Sequence, residues 1–491
     1  MLNPPIIVNI NSLQENLKAK LKDSKLGLIS SISGQELFTL ILNNNEGNAS
    51  LLISNIENNN TYSALTPAIP QAHWFERYLH EMFGIFPQNH PRLKSVIFND
   101  LGIIDYPPLR SIDQNYQHNF QRDTSFLNIE GNDLYIVPVG PVHAGVIEPG
   151  HFRISCVGEN IINLEIRLGF VHRGIEKRLT QIPLTSLRFY AESVSSDSSS
   201  ANALANTLAL EQMLELNVSE RSKYLRTLAM EIERLSMHIC DLGGMATDLG
   251  FNTIAMELAR LRGQVFAMGD YLTGSRYLRN FIGIGGVRKD DDLYLSKIKS
   301  LIINLKPKLT KVINFFINNQ NVYQRLHNVG KLSKSLACDF NMVGVAARAC
   351  NIAYDTRLIY DQGIYPATIL KLADESAGDA LARTKVRIKE IITSIALIEN
   401  VLDNIPQGTT QLANVKCLPA NCIGLGIVEA FRGELIHLIF SDENGQIKRY
   451  AIKDPSFNNW TGLAISARNN LLADFPIINK SFALSYSGHD L

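Results

Sequence analysis

The amino-acid sequence predicts an α+β fold, in which a small α+β N-terminal domain precedes a mainly α-helical domain with a β-rich C-terminal part. Three observations predict it. Short apolar runs between asparagine-rich turns fill the first 65 residues, apolar residues recur every three or four positions in the second half, and strand-like runs return after residue 420. With 491 residues, the chain is long enough to bury a large core.

The N-terminal domain is predicted to span residues 1–115. Apolar runs of strand length occur at Ile6–Val8, Leu26–Ile32 and Leu37–Leu42. Apolar residues between His73 and Phe83 have helical spacing, and Gly84 follows as a residue type that ends helices. We place an irregular connector at 116–135 and the second domain at 136–491.

The second domain is predicted to be mainly helical. Leucine and isoleucine recur every three or four residues through 225–242, and Gly243-Gly244 is predicted to end that helix. A second such pattern covers 388–402 and ends before Pro406. Strands are predicted at Ile423–Val428, Leu435–Phe440 and Lys448–Ile452.

The charge balance restricts the class of partner. The chain has 47 Lys plus Arg and 47 Asp plus Glu, so no whole-molecule basic field exists to bind nucleic acid. Six cysteines are too few for a disulfide scaffold, and no two are separated by the two-residue gap of zinc or iron–sulfur sites, which indicates a reducing, cytoplasmic compartment. No run of about 18 apolar residues exists, so no transmembrane segment is predicted.

A charged stripe runs beside the apolar one on the 225–242 helix. Glu231, Arg234, His238 and Asp241 are spaced by three and four residues and therefore share a face. A solvated surface face explains such a stripe on one helix. If the helix is central, the stripe is instead a buried charge relay.

Ionisable groups also collect in a Gly/Pro-rich stretch, Gly140–Gly145 followed by Ile147–Arg153. His143, Glu148, His151 and Arg153 lie in it, and a loop there brings them towards one cavity, where burial tunes such groups for proton transfer. The alternative is an ordinary surface turn.

Together these segments resemble the large-subunit family shared by membrane-bound nickel–iron hydrogenases and respiratory NADH:quinone oxidoreductase (complex I). The matching segments are Gly140-Pro-x-His143, Gly158-Glu159, His172–Lys177, Asp241 to Asp248, Thr273–Arg276, Gly285–Val287, Gly378 to Arg383, Glu429 to Glu434 and Asp454-Pro455. Upstream, His73–Arg77, Met82–Gly84, His90-Pro91 and Pro108–Arg110 resemble the neighbouring small hydrophilic subunit of complex I. The order is preserved over about residues 60–491, as in the fused large subunits of the formate hydrogenlyase and hydrogenase-4 type.

The sequence departs from this family at the metal ligands. In the hydrogenases two Cys-x-x-Cys pairs hold nickel and iron, and soft thiolates suit these metals. The corresponding positions here are Ser195 and Ser198 in the first pair, and Ser485 and Gly488 in the second. The resemblance therefore implies a degenerate site that holds no nickel–iron centre and no metal.

The resemblance also implies a quinone pocket. His143 matches the quinone-site histidine of complex I, but the partner tyrosine is absent, because the corresponding position is about Ser196. We expect His143, Ser196 and Ser198 to border a pocket for quinone, and Glu148 to match the glutamate that transfers protons beside the hydrogenase metal.

The predicted function is that of a subunit of a membrane-associated, energy-converting oxidoreductase complex, with a metal-free pocket for quinone-like electron transfer or proton coupling. The alternative is a non-catalytic scaffold. Implied partners are an iron–sulfur small subunit and antiporter-like membrane subunits in a hetero-oligomer without nucleic acid. The expected location is the cytoplasmic face of the inner membrane, as a peripheral protein.

Overall fold

The computed structural model describes residues 2–56, 60–99, 106–111, 123–144, 147–372 and 375–491. Its N-terminal part is a four-stranded sheet covered by helices. Its elements are β1 (Ile6–Ile7), α1 (Leu13–Lys20), β2 (Ser24–Ser30), β3 (Glu36–Asn43), β4 (Asn48–Asn55), β5 (Thr61–Ser63), α2 (His73–Phe83) and β6 (Phe86–Gln88). The sheet order is β1-β4-β3-β2, in which only the β1–β4 pair is parallel. Helix α2 ends at Gly84, whose φ of +65° is the left-handed conformation that favours glycine.

A three-stranded antiparallel sheet begins the second part and leads into helices. Its strands and the helices that follow are β7 (Leu134–Val139), β8 (His151–Val157), β9 (Asn160–Arg167), α3 (Ile175–Leu179), α4 (Leu184–Ala191), α5 (Ser199–Met213), α6 (Glu220–Asp248) and α7 (Asn252–Thr273). Residues 116–122 of the predicted connector 116–135 lie outside the described residues. Its last two residues, from Leu134 on, belong to β7. His151 and Arg153, predicted to lie in a loop, belong to β8.

The chain continues with more helices and a C-terminal sheet. These elements are β10 (Ile282–Gly283), β11 (Gly286–Val287), α8 (Asp292–Ile317), α9 (Gln320–Leu326), α10 (Lys334–Asp339), α11 (Gly344–Arg348), α12 (Ala380–Asn404), β12 (Ile423–Ala430), β13 (Gly433–Ser441), β14 (Ile447–Lys453), α13 (Pro455–Ser466) and α14 (Phe475–Phe482). Strands β12, β13 and β14 form an antiparallel meander. The α+β prediction is confirmed.

Helix α6 is the centre of the helical part. Leu225, Leu228, Ile232 and Leu235 are at most 1% exposed and pack in one core with residues of α7, α8 and α12. The predicted end of this helix at Gly243-Gly244 is wrong, because the helix continues to Asp248. A Cβ on Gly243 would lie 3.7 Å from Leu258 of α7, an ordinary van der Waals contact, and the helix continues through this glycine despite its usual cost.

The N-terminal sheet and the C-terminal sheet share a core. Leu26 and Phe38 pack in the same apolar cluster as Ile436 and Phe440 of β13. At the junction, Glu176 of α3 accepts hydrogen bonds from Tyr78 of α2 at 2.8 Å and from Arg449 of β14 at 2.7 Å. The two predicted domains are therefore joined by a buried polar anchor as well as by apolar contacts.

Candidate functional site

A cavity of about 250 Å³ lies where three distant segments meet. The loop after β7 contributes Ile147 and Glu148, the loop before α5 contributes Ser195, Ser196 and Asp197, and the C-terminal tail contributes residues 483–487. The remaining wall comes from α6, the β12–β13 turn and α14, through Cys240, Asp241, Gly244, Arg432, Asn479 and Lys480. Ser196 is exposed, so the cavity opens to the surface beside it.

The first residues of the two degenerate ligand pairs touch each other. The Ser195 and Ser485 hydroxyl oxygens are 3.0 Å apart and both side chains are buried. Ser195 donates to Asp197 Oδ1 at 2.7 Å, and Ser485 Oγ accepts the backbone N–H of Gly488 at 2.9 Å. Each hydroxyl is thus committed to a hydrogen-bond network within the protein.

The other two ligand positions do not face this cavity. Ser198 is 2% exposed at the N-cap of α5, and Gly488 has no side chain. A Cβ on Gly488 would overlap the Asp454 carboxylate. Among the described residues, no group of three or more His, Cys, Asp or Glu is arranged to hold a metal ion. Two hydroxyls bonded to each other, a third that does not line the cavity and a glycine do not fit a nickel–iron centre, which requires four thiolates.

Asp197 and Arg432 form an ion pair on the cavity wall that the sequence analysis missed. Arg432 donates two parallel hydrogen bonds to Asp197, at 2.9 and 2.6 Å. Burial opposes ionisation of Asp197, but the Arg432 guanidinium and the Ser195 hydroxyl hold the pKa of its carboxyl below the usual value. The pair therefore stays charged at neutral pH. In the sequence, the one signal that pointed to Arg432 was its position in a segment that resembles the family.

Glu148 and Tyr486 form the side of the cavity nearest the Gly/Pro-rich loop. Glu148 Oε2 accepts the backbone N–H of Ser487 at 2.9 Å, which links the loop to the tail. Burial raises the pKa of Tyr486 above its ordinary value, so its phenol remains protonated at neutral pH. The Tyr486 hydroxyl lies 3.3 Å from His143 Nε2.

Three of the four ionisable residues predicted from the loop lie away from this cavity. His143 is not among its lining residues, because Tyr486 lies between them. His151 Nδ1 lies 3.4 Å from the Gly140 carbonyl oxygen, and the Arg153 guanidinium lies 4.4 Å from the centre of the Phe126 ring. Their strand turns them to another side of the fold, so only Glu148 of this predicted set borders the cavity.

The charged stripe on α6 is buried, with most of its partners on other elements. Glu231, Arg234 and His238 are at most 1% exposed, and Asp241 is partly exposed at the cavity. His238 Nε2 lies 2.8 Å from Glu390 Oε2. Asp241 forms an ion pair with Arg387 of α12, with 3.0 Å between Asp241 Oδ2 and Arg387 Nε. The solvated-face interpretation is therefore wrong.

The stripe belongs to a buried ion cluster of four carboxylates and three guanidiniums, joined by contacts of 2.6 to 3.7 Å. Its members are Glu231, Asp355, Glu390, Glu429, Arg234, Arg348 and Arg357. Burial and the nearby Asp355 raise the pKa of Glu429. Burial lowers the pKa of His238, so this imidazole is neutral at pH 7. Among the carboxylates of this cluster, Glu429 is the one whose pKa is raised, although Arg348 donates a hydrogen bond to it at 2.8 Å.

Two family models match the sequence. Residues 9–117 match the 30 kDa subunit of respiratory-chain NADH dehydrogenase, and residues 248–423 and 418–490 match its 49 kDa subunit. Formate hydrogenlyase subunit 5 of Escherichia coli (strain K12) is 31% identical, with 87% of this chain and 77% of that protein covered. Hydrogenase-4 component G of the same strain is 30% identical, with 87% and 76% covered.

A solved structure is similar to most of this chain. A chain of the membrane-bound sulfane sulfur reductase, an archaeal respiratory membrane complex, superposes with a TM-score of 0.69 at 26% identity, over 73% of this chain and 99% of that chain. Fold and site thus define a fused polypeptide of the class that contains hydrogenase large subunits and complex I subunits. The chain belongs to the family of the 30 kDa and 49 kDa subunits of respiratory-chain NADH dehydrogenase, in fused form, together with formate hydrogenlyase subunit 5. No helix within the described residues has the length and hydropathy to span a membrane.

Proposed function

We propose that this chain is a peripheral subunit of a membrane-associated oxidoreductase complex on the cytoplasmic face of the inner membrane, where its cavity takes a quinone-like electron acceptor without a nickel–iron centre. Electrons reach the cavity from an iron–sulfur partner subunit, and protons released or taken up there are coupled to antiporter-like membrane subunits. The single observation that carries the proposal is the open cavity at the Ser195–Ser485 contact, which is lined by both apolar surface and charged side chains.

The residues around the cavity suit a quinone-like ring. Reduction of a quinone to a quinol consumes two electrons and two protons, so the site needs hydrogen-bond donors and a proton supply. Tyr486 provides a protonated hydroxyl on the cavity wall, with His143 3.3 Å behind it to replace a proton. Tyr486 thereby takes the place of the tyrosine that is missing at Ser196. Protons enter the cavity through two carboxylates, that of Glu148 on the loop after β7 and that of Asp241 on α6.

Asp241 also connects the cavity with the interior. It pairs with Arg387 at 3.0 Å and lies three residues from His238, which contacts the buried ion cluster through Glu390. An excess carboxylate with a raised pKa gives this cluster a proton to hold or release. We propose that Glu231, Arg234, His238 and Asp241 relay charge from the cavity along α6.

Quinone reductase activity of the purified complex tests the acceptor. The Tyr486→Phe variant is expected to lower the rate with a short-chain ubiquinone at least tenfold, because the donor to the quinone oxygen is lost. Tyr323→Phe, on a half-exposed tyrosine of α9, is the matched control and should behave like the parent. Equal rates for Tyr486→Phe and the parent contradict a quinone in this cavity.

Proton coupling and metal content are tested separately. Glu148→Gln should reduce ion transport per electron transferred in vesicles that contain the complex, whereas Glu443→Gln on the exposed β13–β14 turn should not. Elemental analysis of the purified complex is expected to find no nickel. Stoichiometric nickel bound to this chain would contradict the metal-free site.

The scaffold alternative predicts a different pattern. A chain that only docks other subunits has no need of an open cavity. Substitutions in the cavity would then leave electron transfer unchanged, and substitutions that lower electron transfer would do so by dissociating the complex. The cavity of about 250 Å³ favours the first proposal, since filling it with larger side chains would stabilise a mere scaffold. Size-exclusion chromatography of the variant complexes separates loss of assembly from loss of turnover.

A further inference from the structure

A second cavity, of about 450 Å³, lies at the junction of the N-terminal domain with the second domain. Helix α2, the segment 91–99, strand β9 and helix α13 form its walls. Its volume is in the range of small-molecule sites, about 300–1,000 Å³. Trp74, Phe340 and Ile465 supply apolar surface, so the cavity has room and lining for an organic ligand rather than a single ion.

The charge of this cavity is unbalanced. Arg92 pairs with Glu165 at 3.4 Å, and Lys94 pairs with Asp123 at 3.7 Å. Among the described residues that line the cavity, Glu165 and Asp123 are the two that carry a carboxylate. Arg77, Arg167 and Arg468 line the same cavity. In the described part of the chain, the hydrogen bonds of Arg77 go to the Lys94 and Ser95 carbonyls, and that of Arg468 goes to Asn163 Oδ1. These acceptors are neutral oxygens.

Arg77 is the more constrained of these two cations. It is 6% exposed, and its guanidinium lies 4.4 Å from the centre of the Trp74 ring. Burial and the positive charge of Arg92 lower the pKa of Arg77 to about 9. Glu81 and Glu165 act on Arg77 through their charge, but the hydrogen bonds that the structure shows for its guanidinium go to backbone carbonyls. Burying a guanidinium with so little compensation is costly, and an anion from outside the chain reduces that cost.

Hydrogen-bond donors at the cavity also lack acceptors. Trp460 is fully buried and Ser95 is 7% exposed, and the indole N–H of the first and the hydroxyl of the second have no hydrogen-bond partner among the described residues. Arg92 Nε is buried without a partner as well. Indole and guanidinium nitrogens only donate, so acceptor oxygens are what this wall lacks. Buried donors without acceptors are rare in folded proteins.

We propose that this cavity binds a small organic oxyanion, whose phosphate or carboxylate group lies against Arg77 and Arg468 and accepts hydrogen bonds from the unpaired donors. The apolar wall around Trp74 and Phe340 receives the organic part of the ligand. The site joins the two domains, so its ligand stabilises their contact. This inference is independent of the quinone proposal, because the two cavities share no lining residue.

The chain carries its own reporter for this test. It has two tryptophans, Trp74 and Trp460, and both line the cavity. Intrinsic tryptophan fluorescence of the full chain, excited at about 295 nm, is titrated at constant ionic strength with inorganic phosphate, AMP, citrate or sodium chloride. Saturable change with phosphate and AMP identifies phosphate as the group bound, whereas saturation with citrate alone identifies carboxylate. No saturable change with any oxyanion, or the same change with chloride, overturns the proposal.

Variants localise the binding. Arg468→Gln, at an exposed position that folding tolerates, is expected to raise the dissociation constant about tenfold, the effect of losing one charged hydrogen bond. Arg77→Lys keeps the charge but loses the two-pronged geometry, and should weaken binding while leaving the circular dichroism spectrum unchanged. Arg260→Gln, on the exposed face of α7, is the matched control. Parent-like affinity in Arg468→Gln and Arg77→Lys would place the anion elsewhere and overturn the assignment.

Discussion

The Ser195 hydroxyl lies 3.0 Å from the Ser485 hydroxyl, although 290 positions separate them in the chain. One belongs to the loop before α5 and the other to the C-terminal tail. Their contact closes one wall of the cavity, and it brings together two of the positions at which the family resemblance predicts lost thiolates.

This contact predicts a measurable coupling. Ser195→Ala and Ser485→Ala are each expected to destabilise the chain by about 1 kcal/mol, because each leaves buried partners without a hydrogen bond. The double variant should cost less than the sum, by about 0.5 kcal/mol or more. Thermal unfolding of all four proteins measures the cycle. Ser296→Ala on exposed α8 is the control, and strict additivity would mean that the two hydroxyls do not interact.

The Asp197–Arg432 pair predicts a pH-dependent effect. The folded-state pKa of Asp197 is depressed, so its contribution to stability is present above the unfolded pKa of about 3.9 and is lost as pH falls through the folded pKa. Asp197→Asn should therefore lower the melting temperature at pH 7 and have a smaller effect at pH 3. Melting curves of parent and variant between pH 3 and 7 test this. A difference that grows towards low pH would contradict it.

The buried ion cluster predicts opposite tolerance at two glutamates. The pKa of Glu429 is raised, so the loss of its charge in Glu429→Gln should cost only about 1 kcal/mol, less than the same change at Glu390. The Arg348 guanidinium and His238 hold the pKa of Glu390 well below its usual value despite burial, so Glu390→Gln should cost about 3–5 kcal/mol. Each variant is the other's control in denaturant unfolding. Equal costs would contradict the opposite pKa shifts of the two glutamates.

Lys25 predicts a stabilising substitution. Two ammonium groups, Lys25 and Lys453, contact the single carboxylate of Glu434, and burial lowers the pKa of Lys25 to about 8. Lys25→Met should raise the free energy of unfolding at pH 7 by about 1–3 kcal/mol, because it removes the excess buried charge.

The pH dependence checks the cause of that gain. Between about pH 8 and 10.5 the folded chain has lost the Lys25 proton while the unfolded chain retains it, so parent stability rises with pH and the advantage of Lys25→Met shrinks. Unfolding at pH 7 and at pH 9.5 measures both values. Lys18→Met on exposed α1 should change neither. An advantage that is constant with pH would mean that packing rather than charge explains it.

Local patterns in the sequence predicted much of the secondary structure. The spacing of apolar residues identified α2 and α12, and strand-length apolar runs identified β12, β13 and β14, because periodicity follows directly from which side of an element is buried. Strand β4 and the β7–β9 sheet were not predicted. In β7 the side chains of Tyr135 and Ile136 are both exposed, so the apolar pattern of a half-buried strand is weak there.

The sequence by itself determined the family, and it predicts the loss of the four thiolates, since both are properties of residue types in a preserved order. Only the tertiary structure decided which residues meet. It joined Asp197 to Arg432, gave His238 its partner Glu390, and placed Tyr486 between His143 and the cavity. Such contacts join elements far apart in the chain, and they depend on how whole helices and strands pack, which local periodicity does not encode.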